Sequence, residues 1–157
     1  MSTAIYDLFA LTPSAQLALH PSLAGYTGLP VEEVRAIVLA EHDHNSALSV
    51  LACVEAALRT DYLKRCYTKQ KDDIARSFRD IYKKRAERAR LDDDILACWR
   101  DSSSIPKVLI GELIGAFNYR HWLAHGRYWT QKFGRLYDYP TVYTIADAFL
   151  EAMKQHE

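Results

Sequence analysis

The chain is 157 residues long, about one domain, and is large enough to bury a core of its own. A composition of 49% hydrophobic and 25% charged residues excludes a disordered chain, and six glycines and five prolines are too few for an all-β sandwich. Lys plus Arg and Asp plus Glu each number 20, so no net charge draws the whole molecule onto nucleic acid or acidic lipid.

The first twenty residues lack the basic and uninterrupted apolar segments of a signal peptide, and no apolar run approaches the ~18 residues that span a bilayer. Cys53, Cys66 and Cys98 show no C-x-x-C spacing and read as free thiols of a reducing compartment. These features predict one soluble, cytoplasmic domain over residues 1–157, with no membrane partner.

In chain order, Pro30 followed by Glu32 and Glu33 marks a helix start, and Val31, Val34, Ile37 and Val38 keep the helical period. The polar run 41–46 (EHDHNS) predicts an interruption, with Asn45 or Ser46 capping a new helix along Leu48, Leu51, Val54, Leu58 and Tyr62. A further helix is predicted over about 72–89, with Ile74, Phe78 and Ile81 inward. Three acids open the next, 91–101, whose apolar residues are Ile95, Leu96 and Trp99. One of Ser102, Ser103 and Ser104, with Pro106, starts a helix that runs to Gly126, a C′ residue by type. The last helix is predicted over 141–155, with Ile145, Ala148, Phe149 and Met153 at core spacing. The fold class is all-α, a bundle of about five helices.

Charge is unevenly spread. Residues 64–90 carry eleven basic and four acidic side chains, an excess of +7. The block reads either as a phosphate-facing surface or as a solvated helix with ion pairs such as Asp80–Lys84 at i, i+4.

The helix ending at Gly126 breaks its own pattern. Leu109, Leu113, Ala116, Arg120 and Ala124 form one stripe; Ile110, Ile114, Phe117, His121 and His125 form the next. Both begin apolar and should face the core, yet both acquire polar groups at the end. Burying a guanidinium and two imidazoles costs several kcal/mol without partners, a conflict typical of sites. Histidine is the side chain suited to proton transfer near neutral pH, and arginine offers a fork of donors to phosphoryl oxygens. Glu55 is a partner for Arg120, or equally for Arg59 at i, i+4.

Residues 120–125, Arg-His-Trp-Leu-Ala-His, match the Arg-x4-His signature of the HEPN superfamily, and 46–66 is similar to its early helix bearing an acid and an arginine, here Glu55 and Arg59. The resemblance covers about 35–155. It implies a HEPN-like helical homodimer with the two motifs facing across the interface. It also implies a metal-independent endoribonuclease of toxin–antitoxin or phage-defence type, needing no cofactor, with RNA as substrate and an antitoxin or other regulatory protein as partner. Arg120 would hold the scissile phosphate, His125 would transfer protons as the ribose 2′-hydroxyl attacks, and His121 would orient the phosphate or His125. Glu55, Arg59 and Tyr128 would support them. A toxin branch carries a modified Tyr two residues after the motif His; here Arg127 stands there and Tyr128 follows.

Two other readings stay open. His121 and His125 at i, i+4, with Glu41, His42, Asp43 and His44, fit a DinB-like metal-binding bundle, although Trp122 and its neighbours leave no Glu where a zincin helix has one. A non-catalytic helical interaction or nucleotide-binding module needs no titratable pair. The aromatics between Phe117 and Tyr143, among them Trp122, Tyr128, Trp129, Phe133, Tyr137 and Tyr139, are suited to base stacking or to core and interface packing.

Overall fold

The computed structural model describes residues 7, 10–17, 19–26, 28–127 and 134–156. Among these there is no strand, and six α-helices carry the chain: α1 (Ser14–Leu17), α2 (Val31–Thr68), α3 (Asp73–Arg85), α4 (Ala97–Ser102), α5 (Lys107–Ala124) and α6 (Tyr139–Lys154). No helix among the described residues is long and apolar enough to cross a membrane. The chain divides into two compact units, Met1–Ser46 and Ala47–Glu157.

The predicted break at 41–46 is absent. The 38 residues of α2 contain neither Gly nor Pro, and Asn45 and Ser46 sit inside the helix instead of capping one. A polar run interrupts hydropathy; backbone chemistry alone interrupts a helix.

In the first unit, Arg35 on α2 holds the segment before it. Its guanidinium donates to the carbonyls of Ala10 (3.0 Å) and Thr12 (2.7 Å) and to Ser14 Oγ (3.2 Å). Leu17 and Val34 are the buried apolar side chains among the described residues there.

The second unit holds the larger core. Ala47, Leu51, Val54, Leu58 and Tyr62 line the buried face of α2, so Ala47 takes the place expected of Leu48, which is half-buried. Asp72 caps α3, accepting the Ala75 N–H at 2.9 Å. The helix predicted to reach residue 89 ends at Arg85, because Ala86 turns to φ 49° and a 3₁₀ turn, Ala86–Arg88, follows. The acidic stretch Leu91–Leu96 is a π-helical turn leading into α4. Ile95, Leu96 and Trp99 are fully buried, as their spacing predicts. On α6, Val142, Ile145, Ala146, Phe149 and Met153 are buried, and Ala148 faces out, one position off the predicted stripe. In the basic block, Lys83 and not Lys84 pairs with Asp80, at 2.8 Å.

Among the described residues, two charged side chains are buried in this core, Arg65 and its partner Asp61. Arg65 is 1% exposed, and its planar guanidinium has partners on four residues. Nε reaches both carboxylate oxygens of Asp61 (2.8 and 2.9 Å). Nη1 reaches the capping Asp72 (3.0 Å), and Nη2 the carbonyl of His156 (2.7 Å). The guanidinium carbon lies 5.3 Å from the Trp99 ring centre. Asp61 is 6% exposed.

Arg65→Ala strands the Asp61 carboxylate, so chemical denaturation should show a loss of ~3–5 kcal/mol. Close packing predicts a second sensitive position. A methyl group at Gly115 would overlap the hydroxyl of buried Tyr137. Gly115→Ala should lower stability by ~1–3 kcal/mol in the same assay, and Tyr137→Phe should relieve part of that loss.

Candidate functional site

The end of α5 is shaped by its cap. His125 is the C-cap residue, with its N–H on the His121 carbonyl (3.1 Å). Gly126 takes φ 82° at C′, as its residue type predicts, and the Arg127 N–H closes back onto the Trp122 carbonyl at 3.2 Å. That closure fixes where the helix stops and holds His125 at its rim.

The two imidazoles stand together, with ring centres 4.1 Å apart and planes inclined at 50°. Both residues are exposed, not buried as the stripes predict. The core side of the helix end is taken by Tyr119, which stacks on Tyr137 (5.8 Å) and on Trp122 (6.0 Å). An aromatic stack that pairs residues 18 positions apart outweighs the apolar pattern of one helix, and it turns His121 and His125 to the surface. Tyr139 and Tyr143 form a separate pair, 6.0 Å apart. Tyr128, Trp129 and Phe133 lie outside the described residues.

Arg120 points elsewhere. Its Nη1 donates to Glu55 Oε2 at 2.6 Å, while Glu55 Oε1 accepts from Arg59 Nε at 2.8 Å. Both partnerships left open by the sequence therefore exist at once. Arg59 also donates from Nη1 to the carbonyl of Ala89 (3.1 Å), which fixes the guanidinium in place. Glu55 is the least accessible of the three, with its side chain 18% exposed against 37% for Arg120 and 40% for Arg59. The cluster holds two guanidiniums at a place water and ligands can reach, with Glu55 between them and Asp92 in electrostatic reach of Glu55. That arrangement suits an anion.

A nearby acid was not legible in the sequence as part of this site. The Asp92 carboxyl is pushed above the usual carboxylate range, chiefly by desolvation and further by the charges of Asp93 and Glu55. The acidic opening of residues 91–101 announces a helix start, and nothing in its spacing announces a neighbour on α2. The Ala89 carbonyl is likewise invisible to a reading of side chains.

The structure thus joins Glu55, Arg59 and Arg120 in one cluster and His121 with His125 in another, all on α2 and α5. Glu41 and His44 stand within α2, with His44 Nδ1 3.7 Å from Glu41 Oε1. Among the described residues, no three His, Cys, Asp or Glu side chains converge in a way that could hold a metal ion. Comparison with protein-family models, curated proteins and solved structures gives no match. Roles for these residues therefore follow from geometry and chemistry.

Glu55→Gln removes the shared charge and keeps the shape. Because both arginines are more than a third exposed and screened by water, the expected loss is only about 1 kcal/mol. A thermal-denaturation double-mutant cycle with Arg120→Ala should return a coupling of ~0.5–1 kcal/mol; strictly additive losses would show that the pair contributes nothing.

Proposed function

We propose that the chain is a HEPN-like, metal-independent endoribonuclease of toxin or defence type that acts as a homodimer. The observation that carries this reading is the pair of exposed imidazoles at the rim of α5, on the helix that also presents the Glu55-anchored Arg120. It agrees with the Arg-x4-His resemblance of residues 120–125.

In this reading Arg120 binds the scissile phosphate, and its fixed charge offsets the negative charge that grows on the phosphoryl oxygens. Glu55 and Arg59 hold Arg120 in place. The ribose 2′-oxygen bonds to phosphorus as the bond to the 5′-oxygen breaks. His125 takes part in moving the proton off the 2′-hydroxyl, and the leaving 5′-oxygen gains one. His121, 4.1 Å from His125 by ring centres, orients it or the phosphate. The ends produced are a 2′,3′-cyclic phosphate and a 5′-hydroxyl. A toxin of this kind requires an antitoxin or another regulatory protein to keep it silent.

A second reading is favoured by one observation. Arg120 has Glu55 as a partner, as a purely structural arginine would. On that view the chain is a non-catalytic helical interaction or nucleotide-binding module.

Incubation of the purified protein with total RNA, with and without EDTA, separates these readings and the metal-dependent one. The expected result is cleavage that survives EDTA and leaves the two ends named above. His125→Ala should lower the rate ~10²–10⁴-fold, and Arg120→Ala should act in the same direction. Cleavage abolished by EDTA would replace the reading with a metal enzyme. Intact RNA in every condition would leave the interaction module.

A further inference from the structure

The end of α3 and the 3₁₀ turn after it enclose a cleft of about 440 Å³, lined by Tyr82, Lys83, Lys84, Arg85, Ala86 and Arg88. Four of these six side chains are cations, and none is an acid. Part of the charge is offset nearby: Lys83 pairs with Asp80 (2.8 Å), and Arg85 with Asp94 (3.2 Å). Lys84 and Arg88 are exposed and have no ion-pair partner among the described residues. The carbonyls at the end of α3 favour cations in its last turn, which accounts for residues 83–85. They do not account for Arg88, which lies beyond it.

Two aromatic rings border this charge. Tyr82 lines the cleft. Tyr67, from the end of α2, is 58% exposed, with its ring centre 5.8 Å from that of Tyr82 and the two hydroxyls 3.3 Å apart. Glu87 is occupied there as acceptor from the Tyr67 hydroxyl, at 3.4 Å. Cations beside an accessible ring are the combination that grips a single strand: phosphates meet the charge and an unpaired base meets the ring face.

The cleft is also connected to the candidate site. Directly after Arg88, the carbonyl of Ala89 accepts from Arg59; Arg59 shares Glu55 with Arg120. The backbone beside Arg88 is thus tied to Arg59, and Arg59 through Glu55 to Arg120.

We infer that this basic ledge is a docking surface for the backbone of single-stranded RNA, with Tyr67 as a stacking platform. The direction of the strand toward Arg120 rests on the ribonuclease reading; the binding itself does not.

The test uses the full chain carrying His125→Ala, so that RNA stays intact, and a fluorescein-labelled single-stranded RNA of mixed sequence. Fluorescence anisotropy over a range of salt concentrations gives affinity and salt slope. Lys84→Glu with Arg88→Glu should weaken binding at least tenfold at low salt and flatten the slope of log K against log salt by about 1.4, from ~0.7 per phosphate contact on a single strand. Tyr67→Ala should weaken it at least fivefold. Lys84→Gln with Arg88→Gln, a milder change at two exposed positions, should move affinity in the same direction. Affinity and slope unchanged in both charge variants would overturn the inference. So would binding of polyglutamate or phosphatidylserine vesicles in preference to RNA. The two readings fail separately. RNA bound through the ledge but never cut by the wild-type chain leaves the docking surface and removes the ribonuclease. RNA cut by Lys84→Glu with Arg88→Glu at unchanged kcat/KM does the reverse.

Discussion

A guanidinium keeps its charge at any pH a protein meets, so burying Arg65 dictates what must surround it. The answer is drawn from four places in the second unit. Asp61 stands one turn back on α2, Asp72 at the start of α3, the His156 carbonyl near the end of the chain, and the Trp99 ring on α4. Satisfying that one cation therefore fixes the α2–α3 turn, seats α4 and ties down the carboxy-terminal segment. Asp72 serves twice, since the oxygen that meets Arg65 also caps α3. A core with this demand at its centre accepts few alternative packings, because each displaces a partner that water cannot replace.

The same helix repeats the device in a more open setting. Glu55 and Arg59 stand one turn apart, as Asp61 and Arg65 do, but the carboxylate here also reaches Arg120 on α5. The difference is accessibility. Each guanidinium nitrogen of Arg65 has a partner and the side chain is 2% exposed, while Arg59 and Arg120 keep more than a third of their side chains at the surface. The inner cluster stabilises; the outer one holds positive charge in a fixed position where a solute can meet it. Through the Ala89 carbonyl that outer cluster is tied to the segment that follows Arg88 of the basic ledge.

Much of the fold was legible along the chain. The helical class, the cap at Gly126, the helix ending in the Arg-x4-His segment and most of the buried stripe positions follow from local chemistry: backbone propensities, helix termination and a 3.6-residue period. The misreadings have local causes too. Residues 41–46 are polar but helix-compatible, and the early end of α3 at Ala86 arises from a conformation that alanine rarely adopts. Within the candidate site, Arg120, Glu55 and Arg59 were identifiable by type and spacing, and the rivalry between two partners for Glu55 resolved into a shared carboxylate.

By itself the sequence determined that the chain is helical, where most helices begin and end, and which side chains carry usable chemistry, because each of these depends on neighbours within about one turn. Only the tertiary structure decided which way the end of α5 faces. The stack of Tyr119 with Trp122 and Tyr137 claimed the core side and put His121 and His125 outside, and Asp92 came close enough to Glu55 for its charge to be felt. These outcomes depend on groups distant along the chain competing for the same space, and a periodic pattern read along one helix holds no information about its competitors.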